Sequence, residues 1–418
     1  MPLSDNNVSM APAKKAPSGT GRIKRRRDSV ATSRLVLKVV SAAALTFGMA
    51  ASVQSAEIEL PRTIAWSAYD VGSAGYNQAV AIGNALKNAY GINLRVLPGK
   101  NNISRNLVLR EGKVQFSATG VGGAYLAQEG VFEFGVRSWG PQPIRALLLN
   151  KADQSLSVAA AGDVGIKTIA DLKGKRVAWV IGSPSLNQNI TALLAFSGLT
   201  WDDVEKVEFG GYGASWEGIL NNQADVAFTS SVAGHLYKLA ASPRGLVHPI
   251  VPHDDEEGWK RLRAHAPFFV PVMATEGADM SKDKPVETAA YPYPILIAYA
   301  DQKDDMVYNM TKAMVEAFDA YKDGAPGASG WALDRQVFDW VVPWHDGAIR
   351  YFKEIGVWTP AHQAHNDALL KRQQVLAEAW ESLTKRNIGD DQAFAKAWMK
   401  ARADALGKAG MEVVVTDW

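Results

Sequence analysis

The sequence predicts an α/β protein made of two similar lobes followed by a mainly helical C-terminal segment. From Arg62 onward, short apolar strands alternate with segments of helix length, a pattern typical of parallel sheets covered by helices. The same succession returns from Arg176. Three pairs of residues at equivalent places lie 111 to 113 positions apart: Trp66 and Trp179, Val96 and Val207, and Phe116 and Ala227. We interpret this recurrence as a second lobe on the plan of the first, although two unrelated βαβ units would share part of the rhythm.

Each lobe is predicted to alternate three strands with two helices. In the first lobe these are strands 63–66, 94–97 and 114–118 and helices 76–89 and 103–110. In the second lobe they are strands 177–180, 204–209 and 225–228 and helices 186–196 and 214–220. Gly91 and Gly198 follow the first helix of each lobe, where glycine commonly ends a helix.

The segments outside the repeat predict how the lobes are joined. Two strand-like runs, 144–149 and 156–160, are expected to cross between the lobes as a hinge. The apolar run 268–273 is expected to carry the chain back, into strand 295–299 and helix 304–321, which has apolar residues at helical spacing. The expected division is 57–149 with about 270–330 for lobe I, 150–269 for lobe II, and 331–418 for a mainly helical segment packed on the lobes.

The first 56 residues are predicted to be an N-terminal leader and export signal. A basic cluster ends at Arg27, and 39–51 is an apolar run too short to span a bilayer, followed by small residues. We expect cleavage near residues 51–56 and a periplasmic mature protein. The alternative is a buried helix with a basic cap. The paired arginines leave both the Sec and the twin-arginine routes open.

Composition narrows the function classes. The chain has 418 residues, 45 basic against 43 acidic residues and no cysteine, which excludes thiol nucleophiles, disulfides and thiolate metal sites. Residues 1–56 contain nine of the basic and two of the acidic residues, so the remainder has a net charge of about −5. This balance argues against a nucleic-acid partner. No later apolar run approaches membrane-spanning length, so no direct membrane insertion is expected after signal cleavage.

Two equivalent loops are the candidate binding elements. Gly72-Ser73-Ala74-Gly75 and Gly182-Ser183-Pro184-Ser185 each follow a strand and precede a helix. Ligands of parallel α/β sheets bind at such strand ends, where glycine admits close approach and helix N-termini favour negative charge. Facing each other, the loops would bind an anionic group. Ordinary helix capping by Ser73 and Ser185 is the alternative.

An ordered series of motifs resembles the TAXI-type solute receptors of TRAP transporters. The first-lobe motifs are Trp66-Ser67, Gly72-Ser73-Ala74-Gly75-Tyr76, Pro98-Gly99, Ser104-Arg105, Glu111-Gly112 and Ala127-Gln128-Glu129-Gly130. The later ones are Gly174-Lys175-Arg176-Val177, 198–204, Asp225-Val226-Ala227-Phe228, Pro343-Trp344-His345-Asp346-Gly347-Ala348, Tyr351-Phe352 and Glu354-Ile355-Gly356. The resemblance implies a two-lobed type II periplasmic-binding-protein (Venus-flytrap) fold. It also implies a solute between the lobes, with ion-gradient-driven delivery to membrane permease subunits.

The crevice motifs depart from the family pattern, so the solute stays open. Ser67-Ala68-Tyr69-Asp70-Val71 replaces a Thr/Gly-rich loop with paired tyrosines, and Thr119-Gly120-Val121-Gly122 replaces a Gln-Ser-Asp-like step. We expect a small anionic solute, a carboxylate or an amino acid such as glutamate. Matched position by position, the resemblance implies ligand contacts at Ser67, Ser73, Gly75, Tyr76, Arg105, Thr119, Ser183, Ser185, Asn187, Tyr212 and Ser230. Arg105 would neutralise a carboxylate, or is a solvated or structural arginine.

No cofactor, metal site or catalytic residue is predicted. His362 and His365 are three apart on a helix but lack a third ligand, and 253–257 is interpreted as a polar loop. Two Ser-x-x-Lys matches lack the companion motifs of penicillin-interactive enzymes. The tail tryptophans are expected to pack in the core, with a docking face as the alternative. The rival function is an exported ligand-sensing protein of the same fold that regulates a membrane sensor.

Overall fold

The computed structural model describes residues 57–416, so the predicted export signal and Trp418 lie outside the described residues. The strands are β1 Thr63–Ala68, β2 Asn93–Pro98, β3 Phe116–Thr119, β4 Ile144–Leu149, β5 Leu156–Ala161, β6 Arg176–Val180, β7 Glu205–Phe209, β8 Val226–Ser230, β9 Leu246–Val247, β10 Val270–Ala274, β11 Val286–Ala290 and β12 Ile295–Tyr299. The helices are α1 Ala74–Tyr90, α2 Asn102–Arg110, α3 Ala127–Glu129, α4 Pro184–Phe196, α5 Tyr212–Leu220, α6 Gly234–Ala240, α7 Glu256–His265, α8 Asp304–Glu316, α9 Phe318–Tyr321, α10 Asp346–Glu354, α11 Pro360–Thr384 and α12 Asp391–Lys408.

Two five-stranded sheets of the same plan form the body of the protein. Their strand orders are β2-β1-β3-β12-β4 and β7-β6-β8-β5-β9. In each sheet the first three strands are parallel, and the fourth, β12 or β5, runs antiparallel to both neighbours. The recurrence of one topology confirms the predicted two-lobed α/β fold of the type II periplasmic-binding-protein class.

The local rules that predicted the helix ends are visible in α1. Ser73 is the N-cap, and its Oγ accepts a hydrogen bond from the Tyr76 amide at 3.2 Å. Gly91 ends the helix with a φ of 69°, a left-handed conformation that favours glycine. Below the helix, Trp66 of β1 and Phe116 of β3 pack edge to face in the core of the first sheet. The Gly/Ser loop is thereby fixed at the carboxyl end of β1.

Two extended segments run side by side between the sheets. Asn150 exchanges backbone hydrogen bonds with Tyr293 and Pro294, at 2.7 and 3.0 Å. Nε2 of Gln154 also donates to the Tyr293 carbonyl at 2.6 Å. This pair of segments has the position expected of a hinge. We propose the lobe boundaries on this basis: the chain leaves the first sheet after β4, builds the second, and rejoins the first at β12.

The hairpin of β10 and β11 precedes the return. The two strands pair with each other, and β11 contacts the second sheet: the Thr288 and Ser155 hydroxyls lie 2.9 Å apart. Val251 donates its amide to the Glu287 carbonyl at 3.2 Å. After β12, the predicted single helix 304–321 is two helices, because the backbone departs from the helical conformation at Ala317 (ψ 5°).

The C-terminal helices α11 and α12 pack against each other around their own apolar cluster, which includes Leu376, Phe394 and Trp398. Trp398 Nε1 donates to the carbonyl of Gly130 at 2.6 Å, which attaches this pair to the end of α3. Five of the tail tryptophans are buried: Trp331, Trp340, Trp344, Trp358 and Trp398. Within residues 57–416, no helix combines the length and the apolar character needed to cross a bilayer.

Candidate functional site

The carboxyl ends of the parallel strands in the two sheets face each other and are in direct contact. The Tyr212 amide at the start of α5 donates to the Lys100 carbonyl at 3.2 Å, and the Gly234 amide donates to the Gly72 carbonyl at 2.9 Å. The Gly213 amide also donates to Oδ2 of Asp70 at 3.3 Å. These bonds join loops of the first sheet to helix N-termini of the second, so the structure is a closed form.

Asn102, the first residue of α2, links the first lobe to the loop Gly182-Ser183-Pro184-Ser185 of the second. Its Oδ1 accepts from the hydroxyls of Ser183 and Ser185, at 3.1 and 2.8 Å, and from the Ser185 amide at 3.3 Å. All three side chains are buried. A Cβ added at Gly122 would lie 2.6 Å from the Ser185 Cβ, so glycine permits this close approach. Ser183 and Ser185, two of the predicted site residues, therefore form hydrogen bonds with the other lobe in this closed form.

Four tyrosines surround a small cavity beneath this contact. We call this the tyrosine cavity. It is lined by Tyr69, Tyr212, Tyr291 and Tyr293, together with Ser230 and apolar side chains of both lobes. The Tyr69 ring packs edge to face on Tyr293 and Tyr212, with centroids 5.4 and 6.4 Å apart. The cavity volume is about 20 Å³, roughly the room that one water requires. A larger solute enters only if the lobes part or a tyrosine side chain moves.

Arg105 lies behind the wall of this cavity. Its guanidinium carbon is 3.5 Å from the centroid of the Tyr69 ring, and Nη1 donates to the Gly99 carbonyl at 3.1 Å. The side chain is fully buried, yet Nε and Nη2 have no hydrogen-bond partner. Burial lowers the pKa of Arg105, although Tyr69, Tyr293 and Asp70 oppose this shift. An unpaired buried guanidinium is costly, and an anion is the group that best satisfies it.

Further buried polar atoms without partners lie near the start of the π-helical turn Gly122–Leu126. Oγ1 of Thr119, Oδ1 of Asn106 and Nδ2 of Asn102 are buried without a hydrogen bond. All three residues lie next to the π-helical turn Gly122–Leu126: a Cβ added at Gly123 would be 2.3 Å from the Thr119 hydroxyl. Buried polar atoms usually have partners, so such a group of exceptions indicates a place where a polar ligand or water binds.

The other predicted site residues lie at differing distances from the tyrosine cavity. Tyr212 and Ser230 line it, and a Cβ added at Gly75 would be 3.2 Å from the Tyr293 hydroxyl. The Ser67 hydroxyl lies within the first sheet, 2.8 Å from the Ser117 hydroxyl. Tyr76 instead lines a groove between α1 and β2.

The side chain of Asn187, another predicted site residue, forms hydrogen bonds within its own lobe. Its amide group both accepts from and donates to the Val180 backbone, at 2.9 and 3.0 Å.

Tyr69, Tyr291, Tyr293 and Asn102 are site residues that the sequence reasoning did not include. The signal for two of them was the string Tyr291-Pro292-Tyr293-Pro294 directly before an apolar strand. Burial raises the pKa of both tyrosines well above the ordinary value. Their hydroxyls are therefore neutral at physiological pH, able to donate hydrogen bonds to a ligand anion.

A wider cleft opens beside the tyrosine cavity. It has a volume of about 500 Å³, and its lining includes the acidic residues Asp70 and Glu217 and the basic residues Lys100 and Lys238. His235 lies at its inner end, 5% exposed, with its ring 5.4 Å from that of Tyr212. Residues of both lobes therefore line this cleft.

The histidines of the tail have structural contacts. Nδ1 of His362 accepts from the Thr359 amide at 3.2 Å in a helix cap, and Nε2 of His365 lies 2.8 Å from the Trp340 carbonyl. Across residues 57–416, no group of three or more His, Asp or Glu residues is arranged to hold a metal ion.

Comparison with known proteins gives one family match. The NMT1-like family matches residues 71–356. The matched family is broader than the TAXI type that the motifs resemble.

Several solved structures are similar to this chain at low sequence identity. The chain is similar to the alkanesulfonate-binding protein SsuA from Xanthomonas axonopodis pv. citri bound to MOPS, with 12% identity, 78% of this chain and 94% of that chain covered, and a TM-score of 0.42. It is also similar to the periplasmic aliphatic sulphonate binding protein SsuA from Escherichia coli, with 13% identity, 85% of this chain and 91% of that chain covered, and a TM-score of 0.39. A third similar structure is a putative L-cystine ABC transporter from Listeria monocytogenes, with 13% identity, 66% of this chain and 98% of that chain covered, and a TM-score of 0.39.

Proposed function

The chain belongs to the NMT1-like family, and we propose that it is an extracytoplasmic solute-binding receptor of the TAXI type serving a TRAP transporter. It captures a small anionic solute, a carboxylate or an amino acid such as glutamate, between its two lobes and delivers it to the membrane permease. It acts in the periplasm after removal of its leader, without a cofactor and without catalysing a reaction.

The environment of Arg105 is the observation that supports an anionic solute. Its guanidinium is 0% exposed, stacks on Tyr69 and retains two N–H groups without partners. Among the ion pairs of residues 57–416, none includes Arg105. A buried arginine next to tyrosine hydroxyls therefore has unused capacity for one anionic group, which charge-assisted hydrogen bonds would hold.

Capture follows from the contacts between the lobes. In the open form, the Asn102 carbonyl oxygen and the serine hydroxyls of the second lobe are solvated. Solute binding adds a group that both lobes contact, so it favours the closed form by its differential affinity for that form. Closure restores the bonds of Asn102 with Ser183 and Ser185. The closed surface is then what the permease recognises.

The test is a binding panel of anions and their neutral amides. Protein freed of carried-over solute by unfolding and refolding is measured by thermal shift and calorimetry with succinate and succinamide, with glutarate and glutaramide, and with glutamate and other carboxylates. We expect at least one anion to raise the melting temperature while its amide does not. Equal binding of anion and amide, or no binding across the panel, would contradict the proposal.

Delivery is tested separately by uptake. Cells that produce this chain with its permease should accumulate the identified solute, and collapse of ion gradients should stop accumulation while depletion of ATP alone should not. The reverse dependence would leave the receptor function intact and remove the TRAP assignment.

A further inference from the structure

We propose that a second pocket, formed by Phe132, Glu133, Trp179 and Trp201, binds a small alkylammonium group. This ammonium pocket has a volume of about 200 Å³, and its lining is largely apolar and aromatic. It shares no lining residue with the tyrosine cavity. The volume is below the usual range for drug-sized ligands and suits a compact head group such as trimethylammonium.

Two tryptophans supply the surface that recognises the cation. The rings of Trp179 and Trp201 meet edge to face, with centroids 5.1 Å apart. Nε1 of Trp201 donates to the Thr191 hydroxyl at 2.9 Å, which fixes the orientation of that indole. Indole faces attract cations more strongly than the other aromatic side chains do. The pocket therefore offers a rigid aromatic wall of the kind that binds quaternary ammonium groups.

A lysine ammonium lies near the ring of Trp179 in this structure. Nζ of Lys206 lies 4.9 Å from the centroid of the Trp179 ring. Lys206 does not line the ammonium pocket, and its charge is paired with Glu208 at 3.2 Å. The repulsion that Lys206 would exert on a bound cation is therefore reduced by its own counter-charge.

Glu133 supplies the charge that selects a cation. Of the described residues that line the pocket, Glu133 alone is charged, and no ion pair of residues 57–416 includes it. The side chain is half-buried, and burial raises the pKa of Glu133. A carboxylate in apolar surroundings is satisfied by a weakly hydrated cation, which an alkylammonium group is.

The backbone holds this wall in an unusual conformation. Phe132 has a φ of 55°, in the left-handed region that favours glycine, and a bulky side chain adopts it only when surrounding contacts hold it there. Phe132 and Glu133 follow α3 near the first sheet, whereas the tryptophans belong to the second-sheet region. The pocket is complete only when the lobes meet as in this structure, so a bound cation would stabilise the closed form.

The test compares a cation with its neutral analogue. Calorimetry is carried out with choline chloride, tetramethylammonium chloride and 3,3-dimethylbutan-1-ol, at matched ionic strength set by sodium chloride and without any anionic solute. We expect choline to bind at least about tenfold more tightly than the neutral alcohol, since only the cation gains from the carboxylate and the indole faces. Equal affinities of choline and the alcohol would overturn the proposal.

Variants assign binding to this pocket. Glu133→Gln keeps the side-chain shape and should weaken choline binding about tenfold or more, and Trp179→Leu should weaken it about three- to thirtyfold. Glu205→Gln, an exposed carboxylate on the neighbouring strand β7, is the matched control and should leave binding unchanged. Melting curves verify that each variant folds. Unchanged affinity in folded Glu133→Gln protein would overturn the proposal, and this result is independent of the solute of the tyrosine cavity.

Discussion

Nη2 of Arg402 donates a hydrogen bond to Oε2 of Glu129, and each of the two side chains is only 1% exposed. Arg372 binds the same carboxylate with two hydrogen bonds of 2.7 Å, from Nε and Nη2. Glu129 ends α3, which follows β3 of the first sheet, while the two arginines belong to α11 and α12. One buried carboxylate therefore ties both C-terminal helices to the first sheet.

Removing the charge of Glu129 should destabilise the protein strongly. Glu129→Gln leaves two arginines facing a neutral group, and breaking a buried ion pair on one side costs about 3–5 kcal/mol. Chemical denaturation measures the change in the free energy of unfolding. Asp404→Asn is the control, because its partner Lys400 is exposed and such pairs contribute less than about 1 kcal/mol. Similar losses in the two variants would contradict this account.

The same carboxylate should make stability depend on acid pH. Burial alone would raise the pKa of Glu129, but hydrogen bonds and charges from Arg372 and Arg402 hold it below the ordinary value of 4.5. As the pH falls, the unfolded chain takes up the proton first. The contribution of Glu129 is therefore complete above pH 4.5 and declines below it. Denaturation from about pH 7 to about pH 3.5 should show the gap between wild type and Glu129→Gln narrowing at the acid end. A constant gap would refute this.

Replacing Arg105 should separate binding from stability. Arg105→Gln removes the proposed anion partner, so affinity for the anionic solute should fall about a hundredfold or more. The free energy of unfolding of the solute-free protein should change by less than about 1 kcal/mol, because the lost contacts are offset by removal of an unpaired buried charge. Calorimetry and denaturation measure the two quantities.

Arg110→Gln is the matched control for Arg105. Arg110 lies on the same helix, stacks on Trp139 at 3.8 Å and is exposed. We expect it to leave affinity unchanged. If Arg105→Gln kept wild-type affinity, Arg105 would be a structural arginine instead.

Asn102 should set the balance between open and closed forms. Asn102→Ala removes an acceptor used by Ser183 and Ser185, which weakens the closed form and should lower solute affinity on the order of tenfold. X-ray scattering should show a larger radius of gyration without solute and the wild-type radius at saturation. Asn84→Ala, at an exposed position of α1, should change neither quantity. Identical scattering of Asn102→Ala and wild type without solute would count against this role.

Sequence patterns between neighbouring residues predicted the helices and strands, but only some of the residues around the tyrosine cavity. Ser73 and Gly91 marked the ends of α1 because capping depends on neighbours in sequence. The tyrosine cavity depends on contacts between Tyr69 and Tyr293, which are distant in sequence and meet only because β12 returns to the first sheet. For Arg105, the sequence left a solvated arginine open. The structure buries it, because the packing of α2 against β1 and β3 is a tertiary property.

His235 should make solute affinity fall in mildly acidic solution. In the closed form its ring is 5% exposed and faces Gly72. Burial, and then Lys238, lower the pKa of His235 below its ordinary value of 6.5, while Glu217, a hydrogen bond with the Val71 backbone and Asp70 oppose this shift. Lys100 lines the same cleft. Since closure disfavours the protonated ring, its contribution to closure is complete above pH 6.5 and declines as the pH falls below that value.

The measurement is solute affinity at about pH 7.5 and about pH 5.5, with a solute that does not titrate in this range. We expect weaker binding at the lower pH, by up to about tenfold for one unit below the ordinary pKa. His235→Phe retains an aromatic ring against Tyr212 and should remove the pH dependence, because no proton is then excluded by closure. His265→Phe, a partly exposed histidine on α7, should retain it. If His235→Phe showed the wild-type profile, the proton that closure excludes would not be that of His235.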